Sequence, residues 1–109
     1  MAYDEELASR IELILEGKPN IVAKKMFGGI GYLFNGNMAC GVHKDLLVVR
    51  VGPDTYEEAL SEPHTTIFDV SGRPMKGWIM VEPEGLTSQE LLSSWVNRGL
   101  LFALTLLQK

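Results

Sequence analysis

The chain has 109 residues, 46% of them hydrophobic and 22% charged, with a formal net charge of −4. That length holds one hydrophobic core, so residues 1–109 are read as a single domain. The acidic balance argues against a nucleic-acid partner, and the single cysteine, Cys40, excludes an intramolecular disulfide. No apolar run reaches the roughly 20 residues a membrane span needs. With a polar, acidic N-terminal stretch in place of a signal peptide, a cytoplasmic location is expected.

Residues 4–16 predict the first helix, because Leu7, Ile11, Ile14 and Leu15 recur at helical spacing opposite Glu5, Glu12 and Glu16. Gly17 followed by Pro19 stops it. Residues 21–25 read either as a connection or as a first extended segment. Residues 24–52 then carry the signature of a three-stranded antiparallel meander. Asn35-Gly36 is a two-residue type I′ turn signal, since both central positions need positive φ. Uninterrupted pairing from that turn sets Leu33 opposite Met38, Tyr32 opposite Ala39 and Gly31 opposite Cys40. A second tight turn at Lys44-Asp45 sets Val42 opposite Leu47 and Cys40 opposite Val49. Side chains alternate between faces, so this register assigns Leu33, Met38, Cys40, Val42, Leu47, Val49 and Val51 to the core, with Gly29 and Gly31 leaving room there for a close helix. Ile30, Tyr32, Phe34, Ala39, Gly41, His43, Leu46, Val48 and Arg50 fall on the other face.

Gly52-Pro53-Asp54 breaks the sheet and opens a short helix to about Leu60. Residues 65–70 and 77–81 predict two further strands joined through a turn at Ser71-Gly72. Thr87 and Glu90 form a capping-box pattern for a last helix to about residue 107. Its apolar residues cover more than one stripe, as in a helix central to a core or buried in an oligomer. The resulting order, α-β-β-β-α-β-β-α, predicts an α+β domain with helices on one face of an antiparallel sheet.

Met26-Phe27-Gly28-Gly29, Asn35-Gly36-Asn37-Met38, Leu47-Val48-Val49-Arg50-Val51 and Gly72-Arg73-Pro74-Met75-Lys76-Gly77-Trp78 together resemble the TfoX/Sxy family N-terminal domain over nearly the whole chain. The resemblance implies an α-β3-α-β2-α architecture of the secretion-chaperone-like kind. Full-length members regulate competence for DNA uptake and carry an additional C-terminal domain. Lys109 follows directly on the last helix, so a stand-alone domain is expected here, and the competence role is not carried over to it.

Four glycines, Gly28, Gly29, Gly31 and Gly36, are read as structural rather than as a phosphate cradle. They run into a strand and a hairpin, with no GK[ST] or GxGxxG pattern following. Cys40 and His43 have the spacing of half a zinc site, but one Cys and two His fall short of four ligands, so no metal and no cofactor is expected. Cys40 reads as a small buried hydrophobe. The scattered carboxylates offer no acid–base pair, so no catalytic residue is assigned.

Arg50, alone among valines, is the most informative charge. It is either an edge residue whose stem covers apolar surface or a bidentate recognition residue for a carboxylate, a phosphate or an acidic partner. The expected function is a non-enzymatic protein-interaction or regulatory domain, forming a homodimer or docking a protein partner. Its candidate binding residues are Tyr32, Phe34, His43, Val48, Arg50, Arg73, Lys76 and Trp78. The alternative is a small-molecule or enzymatic pocket near Met26, Gly28, Arg50, Arg73 and Trp78.

Overall fold

The computed structural model describes residues 3–26, 28–69 and 75–106. Its elements run α1 (Glu5–Leu15), β1 (Ile21–Met26), β2 (Gly29–Phe34), β3 (Asn37–His43), β4 (Leu46–Arg50), α2 (Tyr56–Leu60), β5 (Thr65–Ile67), β6 (Trp78–Val81), a 3-10 turn (Pro83–Leu86) and α3 (Gln89–Leu104). The six strands form one antiparallel sheet in the order β1-β2-β3-β4-β6-β5. This is the expected α+β architecture, with one difference. The ambiguous segment after α1 is a full strand, so four strands precede α2 instead of three.

The two long helices are each started by a capping side chain. The Asp4 carboxylate accepts from the backbone N–H groups of Glu6 and Leu7, capping α1. For α3 the cap is Ser88, not Thr87. The 3-10 turn carries αR backbone through Thr87, and Ser88 is the first extended residue, free to accept from Leu91 N–H at 3.1 Å. Arg10 on α1 donates to Leu86 O of the 3-10 turn at 2.7 Å and to the Gln89 side chain of α3 at 3.1 Å, tying the two helices at that end.

Both predicted turns of the meander are present, while the predicted Ser71-Gly72 turn lies outside the described residues. Asn35 and Gly36 have φ of 52° and 84°, as a type I′ turn requires, and the turn leaves Phe34 opposite Asn37. The Lys44-Asp45 turn leaves His43 opposite Leu46 and sets Val42–Leu47 and Cys40–Val49 as expected. Between these turns the register shifts. Leu33 opposes Met38, but Tyr32 opposes Cys40, which makes Ala39 an extra residue in β3.

That bulge reverses part of the expected division of faces. Ile30 and Tyr32 join Cys40, Val42, Leu47 and Val49 in the helix-covered core, with Leu7, Ile11, Leu92 and Val96 above them. Leu33, Met38 and Gly31 move to the other face, where the Met38 methyl lies over Gly31 and Gly41. One row of this second face crosses all six strands: Lys24, Gly31, Gly41, Val48, Met80 and Thr66. The face is not bare. Val48 has no exposed surface, and the connection leaving β5 places Phe68 against Trp78 and Asp69 beside a cleft with His43, Leu46 and Met80.

Candidate functional site

Of the eight candidate binding residues, the structure brings two into one cluster. Arg50 ends β4 and Trp78 begins β6, directly opposite each other in the ladder. The Arg50 guanidinium carbon stands 5.0 Å from the centre of the Trp78 ring and 5.4 Å from that of Phe102 on α3. Beyond Trp78, the Phe68 ring centre lies 5.8 Å away at 34°. The sequence in space is therefore Phe68, Trp78, Arg50, Phe102, a cation held between aromatic rings.

The backbone at the ends of β4 and β6 makes this arrangement possible. Val51 and Gly52 both donate to Gly77 O, at 2.8 and 3.0 Å, closing the corner beside Trp78. Gly52 adopts φ of 89°, and a Cβ there would stand 2.5 Å from the Phe102 ring. The ring of a helix residue thus rests on bare backbone and reaches the end of β4.

Arg50 is half-buried, and burial lowers its guanidinium pKa from the ordinary value. It makes no hydrogen bond and no ion pair among the described residues; the ion pair there is Arg98–Glu62, at 2.7 Å. The residues outside the described set carry no acidic side chain.

The other candidates disperse. Tyr32 is a correction: it is 2% exposed and faces α1, donating its hydroxyl to the Glu12 carboxylate at 2.9 Å, with Ala8 O at 3.4 Å. Phe34 also sits on the helix side, beside α3. Val48 is buried at the centre of the second face, His43 lines the cleft near Asp69, and Lys76 is exposed. Arg73 lies outside the described residues. Met26 and Gly28 are at β1 and the β1–β2 turn, three strands across the sheet from β4, and so stand apart from the Arg50–Trp78 cluster.

Two clefts flank α3. One, of about 470 Å³, is apolar and lined by Lys18, Pro19, Ile21, Phe34, Asn97, Leu100, Leu101 and Leu104. Leu101 is 64% and Leu104 60% exposed. Leu101 is also the shared wall of a second cleft, of about 480 Å³, which Phe102 lines and whose charged side carries Asp54, Glu58 and the Arg98–Glu62 pair. The composition of α3 hinted at this apolar surface; the partners it would meet in the sheet could not be read from it. Phe68 and Phe102 were missed as members of the Arg50 cluster, because nothing local in sequence links positions 50, 68, 78 and 102.

Among the described residues, no group of three or more His, Cys, Asp or Glu is placed to hold a metal ion, and no helix is long and apolar enough to cross a membrane. No curated protein and no solved structure matches the chain. The family described as the TfoX N-terminal domain matches residues 14–103, which takes in every strand, α2 and nearly all of α3. The chain belongs to the TfoX N-terminal domain family.

Proposed function

We propose that this is a non-enzymatic protein-interaction domain of regulatory type, acting in the cytoplasm as a homodimer built on α3. The observation that carries the reading is the groove beside α3, where Leu101 and Leu104 stand more than half exposed next to Phe34, Ile21 and Leu100. A face with both protruding leucines and an apolar groove is self-complementary, as a two-fold interface requires. Charge agrees with that choice of partner. Lys18 stands at one end of the patch and Asp54 and Glu58 at the other, where Glu62 is paired with Arg98, so a two-fold axis near Leu101 sets the basic end of each copy over the acidic end of its mate. Covering leucines this exposed returns about 1–2 kcal/mol each.

The test is the mass in solution of Leu101→Asp/Leu104→Asp, measured by light scattering beside the parent chain. The double variant is expected to run as a folded monomer. Val22→Asp, a change at a 63% exposed residue on the second face of the sheet, is expected to leave the mass unchanged. The reverse pattern would move the interface to the sheet and sink this reading.

A further inference from the structure

We infer that the Arg50 fork is a carboxylate-binding site. A guanidinium offers five N–H donors in its own plane and no acceptor. Trp78 and Phe102, at 5.0 and 5.4 Å, hold that group from two sides, and no protein acceptor among the described residues takes up its N–H groups. A half-buried, ring-clamped cation with no carboxylate partner among the described residues is set up for a planar two-oxygen acceptor arriving at its edge. Side-chain entropy is already restricted by the stack, which favours binding of an incoming partner.

Carboxylate is favoured over phosphate by the surrounding charge. The chain carries −4 overall, and the cleft that Phe102 lines carries Asp54 and Glu58 beside the Arg98–Glu62 ion pair. A singly charged, planar anion meets less repulsion there than a phosphate dianion does. This site uses residues distinct from Leu101 and Leu104, so it stands whether or not the chain self-associates.

The experiment is a titration of the ¹⁵N-labelled chain, following the Arg50 Nε–H and Trp78 indole signals. Sodium acetate, the peptide amide acetyl-Leu-Glu-Leu, sodium phosphate and sodium chloride are compared at matched ionic strength. Acetate is expected to shift both signals saturably, with a half-point on the order of 10 mM, while Arg98 Nε–H stays still. A peptide half-point tenfold or more below that of acetate identifies a carboxylate carried on a polypeptide; equal half-points identify a free small acid. Arg50→Lys keeps the charge and loses the fork, and is expected to weaken binding about tenfold. Arg50 signals that follow chloride as closely as acetate, or that respond to phosphate at lower concentration, would overturn the assignment. So would undiminished binding by Arg50→Lys.

Discussion

The carbonyl oxygen of Ala39 and the α-carbon of Gly99 define where α3 sits on the sheet. A Cβ at position 99 would stand 2.3 Å from Ala39 O and 3.1 Å from its carbonyl carbon. Ala39 is the extra residue of β3, so the bulge turns its backbone toward the one helical position that lacks a side chain. Gly99→Ala is therefore expected to destabilise the fold by about 1–3 kcal/mol, as an overpacked core does. At an unconstrained helical site the same change would stabilise by up to about 1 kcal/mol, so the sign alone decides. Urea unfolding measures it.

Tyr32 links β2 to α1 through Glu12, and its hydroxyl is held neutral. Burial first, and the hydrogen bond to Glu12 second, push its pKa above the ordinary value of 10.0. A phenol whose folded pKa is raised contributes its full stability below the unfolded value and loses it as pH climbs beyond. Tyr32→Phe is expected to cost about 1–2 kcal/mol at pH 7 and to flatten the fall in stability above pH 10. Thermal unfolding as a function of pH checks both effects; an unchanged alkaline limb would discount the Tyr32–Glu12 link.

Cys40 is fully buried, and desolvation pushes its thiol from 9.0 up to about 12. The thiolate is the reactive form, so a disulfide reagent at pH 8 is expected to modify Cys40 only as fast as the protein opens, and at once in denaturant. The same sign holds as for Tyr32. Between the unfolded value and about 12, stability is expected to fall by up to about 1.4 kcal/mol per pH unit from this group. Rapid native-state labelling would show that β3 is less well covered than its burial indicates.

Much of the sheet was legible in the sequence because its determinants are local. Asn35-Gly36 and Lys44-Asp45 set two turns, and with them the pairing of β3 with β4, from residues adjacent in the chain. The bulge at Ala39 was not legible, since its counterpart is Gly99, sixty residues away on another element. Missing it moved Tyr32 to the wrong face and left Leu33 and Met38 in the core. Arg50 stood out as the lone charge among valines, and Trp78 as the end of a strand. What makes them a site is the Phe102 ring resting on Gly52, a contact between α3 and the β4 exit that no periodicity encodes. The amphipathic pattern of α3 was partly readable: Leu92, Trp95, Val96 and Ala103 pack inward, and the surplus leucines emerge as the exposed side of the groove.

Sedimentation equilibrium of the unmodified chain from about 1 to 100 μM tests the α3 interface most directly, because micromolar association corresponds to about −8 kcal/mol. The expected result is a mass that rises with concentration toward twice the 12.1 kDa of one chain. A single species of 12.1 kDa across the whole range would contradict it.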